Sequence, residues 1–163
     1  MLVNQLFHIA IKSADIEATR RFYTDVMGMT LAARPKLPFP GYWLQAAVPG
    51  GFAMFHIYGG YAALEPDGSR ATGTGVIDHV SITVKGFEDT KQRLREFHLP
   101  FREQKLPDAG LLQIFVYDPN QVMLELTYLT AGERVPDWEI QPDMLYRPAE
   151  KFFDPAAYRQ FAG

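Results

Sequence analysis

The chain contains no cysteine. Disulfides, thiolate zinc sites and cysteine nucleophiles are therefore excluded together, and any bound metal must be held by imidazole and carboxylate. Excess positive charge is missing too. Sixteen Lys and Arg against nineteen Asp and Glu leave a formal net charge of −3 and a pI of about 5.8. A nucleic-acid partner would need a basic stripe or patch, and no run of like charges occurs. No apolar stretch is long enough to cross a bilayer, so no membrane partner is expected. The chain does not open with a basic segment, an apolar run and a cleavage site, so a cytoplasmic location is expected.

What is present is an ordinary globular composition, 47% apolar and 21% charged over 163 residues. That length suits one compact domain or two small modules sharing a core. A near-repeat favours the second arrangement. Gln5–Lys12 and Val76–Val84 are both alternating and rich in β-branched residues, and each carries one histidine, His8 and His79, ahead of a helical pattern. Ala53–Tyr58 carries His56, and Val122–Thr127 carries Glu125. His79 follows His8 by 71 residues, and Glu125 follows His56 by 69.

The intervening patterns agree. Asp15 reads as an N-cap before Ile16, Thr19, Phe22, Tyr23 and Val26 at helical spacing, with Gly28 as the stop. Short strands are expected around 29–33, 41–47 and 52–58, with a turn at Pro49-Gly50-Gly51. In the second half a helix is expected over 87–99, with Phe87, Leu94 and Phe97 on one face and its charges on the other. Strands follow at 101–104, 111–117 and 122–128, the last two joined by a tight turn at Asp118-Pro119-Asn120. The expected fold is α+β, two βαβββ modules forming an open curved-sheet barrel around a metal site. The expected boundaries are 1–58 for the first module, 59–75 for a connecting loop, 76–128 for the second module and 129–163 for a C-terminal extension. The extension carries Pro136, Pro142 and Pro148, but also Trp138, Tyr146, Phe152, Phe153, Tyr158 and Phe161. It is too aromatic for a disordered tail, and Asp154-Pro155 suggests a short final helix.

Side chains alternate across a strand. In all four ligand-bearing strands the bulky apolar residues lie opposite His8, His56, His79 or Glu125. Helices are expected over the apolar faces, leaving the four polar groups to converge on one divalent ion (Fe, Zn, Ni, Co or Mn). A cation would also relieve the cost of burying the Glu125 carboxylate beside Met123. His98, at the end of a charged helix, reads as surface. Trp43, Met54, Tyr58 and Met123 are candidates for substrate contact, suggesting an apolar or aromatic portion.

Three stretches carry a family resemblance. His8 precedes Asp15–Tyr23 and the run to Met27-Gly28-Met29. Ile77-Asp78-His79-Val80 opens the second half. Phe115-Val116-Tyr117-Asp118-Pro119-Asn120 leads to Leu124-Glu125-Leu126. Together, over about 3–128, they resemble the vicinal oxygen chelate superfamily of glyoxalases, extradiol dioxygenases and fosfomycin- and bleomycin-resistance proteins. Gln121 stands where a turn glycine is usual, and Phe115 where ring-cleaving dioxygenases usually carry tyrosine. The resemblance implies that His8, His79 and Glu125 are metal ligands and that His56 takes the fourth position, where glyoxalases usually have glutamate. It implies a metal-dependent lyase or isomerase acting on a small molecule with two adjacent oxygens through a metal-bound enediolate, and commonly a homodimer. With His56 in the glutamate position, Glu125 is the only carboxylate of the set, and as a ligand that can loosen it is the expected catalytic base. An Fe(II)-dependent extradiol dioxygenase and a non-catalytic ligand-sequestering protein are the alternatives.

Overall fold

The structure, a computed structural model, describes residues 6–49, 51–133 and 139–162. Gln5, Gly50, Pro136 and Trp138, named above, lie outside them. The chain divides into two units, one ending at Thr72 and taking in Phe161, the other running from Gly73 to Gln160.

In the first unit β1 (Ile9–Lys12) leads into α1 (Ile16–Arg21). Asp15 caps that helix as expected, its carboxylate accepting the Ala18 N–H at 2.9 Å. The helical path continues through one wider turn, Phe22–Val26, and ends before Gly28, whose φ of 67° is left-handed. Phe22, Tyr23 and Val26 are buried. Tyr23 packs on Phe55, ring centroids 5.0 Å apart. Strands β2 (Thr30–Ala32), β3 (Gly41–Gln45) and β4 (Ala53–Tyr58) complete the module. The sheet order is β1-β4-β3-β2, with β1 parallel to β4 and the other pairs antiparallel. Leu44, Phe55 and Ile57 are buried on one face. Ala10 and Trp43 flank His56 on the other.

The second unit repeats the plan: β5 (Val80–Thr83), α2 (Phe87–Glu96), β6 (Phe101–Leu106), β7 (Leu111–Tyr117) and β8 (Met123–Leu129). Its order is β5-β8-β7-β6, with β5 parallel to β8. Both units are thus βαβββ modules with an open, mixed four-stranded sheet. Leu112, Ile114, Val116, Leu124, Leu126 and Tyr128 are buried on one face, where the Phe87 ring meets Tyr128 edge-on at 5.2 Å.

Three local features differ from the sequence expectation. The histidine strand begins at Val80, not Val76. Val76 and Ile77 are 105% and 60% exposed, because the register with β8 starts at Val80↔Leu124. Alternation alone does not supply a partner strand. On α2 the charges are not all outside. Phe87, Lys91 and Leu94 share the helical face that packs on the sheet, and Lys91 is buried with its ammonium 2.9 Å from the Glu103 carboxylate. The final helix is replaced by successive tight turns, Ala157 N–H to Asp154 O and Tyr158 N–H to Pro155 O, and one 3₁₀ turn at Arg159–Phe161.

The Asp118–Asn120 turn closes as expected. The Asp118 carboxylate accepts the N–H groups of Asn120 and Val122, each at 2.8 Å. Gln121 takes the left-handed conformation that favours glycine, at φ 66°.

As far as Gln160 the extension docks within the second unit. Leu145 pairs in parallel with Glu103 at the outer edge of β6. The Glu103 N–H donates to Met144 O at 2.8 Å, and the Tyr146 N–H donates to Glu103 O at 2.9 Å. The chain then crosses the sheet face opposite α2. Tyr146 stacks on Phe115, ring centroids 3.6 Å apart, and Phe152 lies on Tyr117 at 4.8 Å. The Tyr158 hydroxyl donates to Tyr117 O at 2.6 Å. Arg102 sits over the Phe152 ring at 4.8 Å. The extension therefore roofs part of the face that carries Glu125.

Candidate metal centre

Each module gathers its own two candidate ligands. In the first, His8 lies just before β1 and His56 lies mid-strand on β4. The Ala10↔His56 register places both on one face. Their rings stack at 3.9 Å, and Trp43 stacks on His56 at 4.1 Å, only 5° from parallel. His56 is 6% exposed. Burial, and then the neighbouring His8, hold its pKa below the ordinary histidine range. It is therefore a neutral ring with a free lone pair, the form that binds metal. The His8 Nδ1 is buried with no hydrogen-bond partner.

This burial gives the first module an acid sensitivity. The unfolded chain binds the His56 proton more tightly than the folded chain does. The stabilisation from keeping the ring neutral is complete above the ordinary value of about 6.5 and is lost as pH falls below it toward the lowered value. The urea midpoint of metal-stripped protein is expected to fall between pH 7.5 and 5.5. His56→Phe should flatten that part of the slope, and an unchanged slope in the variant would place the sensitivity elsewhere.

In the second module Ser81 opposes Glu125 in register. The Glu125 Oε1 accepts the hydroxyls of Ser81 at 2.6 Å and Thr127 at 2.7 Å. These two donors pin the carboxylate, which is only 9% exposed. Its Oε2 faces the His79 Nε2 at 3.1 Å. The other ring nitrogen of His79, Nδ1, lies 2.8 Å from the Asp78 carboxylate. A neutral imidazole carries one proton for these two carboxylate contacts. With the proton on Nδ1, toward Asp78, a lone pair on Nε2 meets the Glu125 oxygen, an arrangement satisfied by a cation. A carboxylate behind a metal-binding histidine is a common way of fixing its tautomer. In each module the donors are of a kind that binds divalent transition metals: two imidazoles in the first, where the His8 Nδ1 is buried without a hydrogen-bond partner, and an imidazole with a carboxylate in the second. Among the described residues, no three His, Asp or Glu come together as a metal-binding group; the structure brings the four candidates together as two pairs, one within each unit.

Of the candidate substrate contacts, Trp43, Met54 and Tyr58 are half-buried in the first module. Met123, 6% exposed, packs with Phe115 and Phe152 in the second. The sequence reading missed Asp78, Thr127 and Tyr146. Asp78 and Thr127 were within reach of it, one adjoining His79 and the other two residues from Glu125 on the same strand face. Nothing local marks Tyr146, which is brought in by the extension.

The fold recurs in solved structures. A lactoylglutathione lyase from Agrobacterium tumefaciens matches with 18% identity and a TM-score of 0.58, over 79% of this chain and 96% of that one. The antibiotic-binding protein TnmS3 from Streptomyces sp. CB03234 matches with 19% identity and a TM-score of 0.55, over 79% and 98%. The fosfomycin resistance protein FosX from Listeria monocytogenes matches with 14% identity and a TM-score of 0.57, over 78% and 94%. Among the described residues no helix is long and apolar enough to cross a membrane. The family model for the Glyoxalase/Bleomycin resistance protein/Dioxygenase superfamily matches residues 5–126. That span takes in the first module whole and the second as far as the middle of β8, well over half of the chain, and the chain belongs to this superfamily.

Proposed function

We propose that the chain is a metal-dependent lyase or isomerase of the glyoxalase type, acting on a small molecule with two adjacent oxygens. His8, His56, His79 and Glu125 hold one divalent metal, each module supplying two donors. The observation that supports this most is the 3.1 Å approach of Glu125 Oε2 to His79 Nε2 while Nδ1 is engaged by Asp78.

When bound, the metal supplies Lewis-acid polarisation of the two substrate oxygens. The protein supplies the rest. Glu125 takes the proton from the carbon beside those oxygens at Oε2 and returns it to the neighbouring carbon, while Ser81 and Thr127 hold Oε1 in place. Trp43 stacks behind His56 and excludes water from that side. Trp43, Met54, Tyr58 and Met123 offer the apolar part of the substrate a wall. In this reading the working form is a cytoplasmic homodimer, which the exposed, mutually stacked Phe7 and Phe52 beside edge strand β1 would favour.

The test is metal analysis of protein purified without an affinity tag, followed by assays of the loaded protein. The expected result is one metal per chain, proton exchange at the carbon next to a carbonyl, and isomerisation of hydroxy-carbonyl substrates. Oxygen uptake with catechols after anaerobic Fe(II) loading would instead assign a ring-cleaving dioxygenase. A protein that takes up no metal yet binds small molecules would be a sequestering protein, and the enzymatic reading would fall.

A further inference from the structure

The family match ends at residue 126, but the second module's ligand face does not end with it. The extension joins the sheet through backbone pairing of 144–146 with Glu103. This turns Leu145 to the same side as Glu103 and Tyr146 to the opposite side, the one bearing Glu125. The Tyr146 ring lies flat on Phe115, centroids 3.6 Å apart and 8° from parallel. Phe115 in turn meets the His79 ring edge-on at 5.7 Å. The Tyr146 hydroxyl donates to Asp78 Oδ1 at 3.3 Å, the same oxygen that contacts His79 Nδ1 at 2.8 Å.

We propose that Tyr146 is a positioning residue for His79, acting through Asp78 and Phe115. Its hydroxyl fixes the Asp78 carboxylate, which otherwise stands largely in solvent with 62% of its side chain exposed. A fixed Asp78 holds the His79 proton on Nδ1 and leaves Nε2 as the metal-binding lone pair. Its ring also braces the Phe115 ring, which meets the imidazole edge-on. Burial, then the charge of Asp78 and its hydrogen bond, with Glu125 adding a smaller push, raise the Tyr146 pKa to about 12. The phenol therefore stays a donor throughout the physiological range. The inference rests on the metal-centre reading for its purpose, but not for its measurement.

The test compares wild type with Tyr146→Phe and Asp78→Asn. Tyr146→Phe keeps the stack and removes only the hydroxyl, so its melting temperature should match wild type. Protein with ¹⁵N-labelled histidine, metal-free and at a pH well above the ordinary histidine value, reports the His79 tautomer directly, with His79→Gln providing the assignment. Wild type should show Nδ1–H, drawn by Asp78, in measurable competition with Nε2–H, drawn by the Glu125 oxygen 3.1 Å away when no cation is bound. Tyr146→Phe should lower the ratio of Nδ1–H to Nε2–H by about threefold or more, and Asp78→Asn should lower it further. In zinc titrations the Kd should rise by about three- to tenfold in Tyr146→Phe, below the roughly 10–100-fold typical of losing a ligand's direct outer partner. An unchanged ratio in Tyr146→Phe would reduce Tyr146 to packing, and an unchanged ratio in Asp78→Asn would remove the relay altogether. If wild type binds no zinc, the metal-centre reading fails while the tautomer measurement still decides this one.

Discussion

Glu125→Gln is expected to lower turnover by about 10²–10⁴-fold, the usual worth of a positioned general base, and to weaken metal retention as well. Glutamine is nearly the same size, and its carbonyl oxygen can still accept the Ser81 and Thr127 hydroxyls that hold Oε1. What changes is the atom facing His79 Nε2, now 3.1 Å from a carboxylate oxygen. An amide brings no charge to a cation and is too weak a base to take a carbon-bound proton. The fold should survive, so a melting temperature near wild type separates chemistry from unfolding. Metal content and turnover are to be measured on the same preparation. If both stay at the wild-type level, Glu125 is neither ligand nor base.

The second large effect concerns stability. Lys91→Ala should destabilise the protein by about 3–5 kcal/mol, because it strands a buried carboxylate. Glu103 and Lys91 keep only 4% and 7% of their side chains exposed, and the ammonium sits 2.9 Å from Oε2. That oxygen makes the ionic contact without a well-directed hydrogen bond, so little else offsets its charge. For a chain of this length the loss corresponds to a fall in Tm of roughly 10 °C. The double variant Lys91→Met, Glu103→Leu should recover most of the loss or exceed wild type, since apolar replacement of a buried pair is often neutral or stabilising. Thermal melts of the three proteins check this. A single variant as stable as wild type would mean that water reaches Glu103.

The paired halves were legible because strand alternation and helical spacing are written in the order of residues. His8 with His79, and His56 with Glu125, fall at matching points of the two modules, and within each module the two candidates, His8 with His56 and His79 with Glu125, share one sheet face. The Asp15 cap and the Asp118 turn were legible because each acts through its own side chain on the next few N–H groups. What escaped depends on partners distant in the chain. Val76 and Ile77 have a strand-like pattern but nothing on β8 to pair with. Lys91 reads as a solvated helix charge until Glu103 is found beneath it. Tyr146 reaches Asp78 across 68 residues, guided by main-chain pairing that leaves no mark in the sequence.

That last attachment has an evolutionary corollary. Main-chain groups at 144–146 secure the extension to Glu103, and every residue type except proline possesses both of them. Mutation can therefore exchange the rings laid over the ligand face without loosening this mooring. Preference for one compound over another could diversify among descendants of this chain while the ancestral duplicated scaffold stays unaltered.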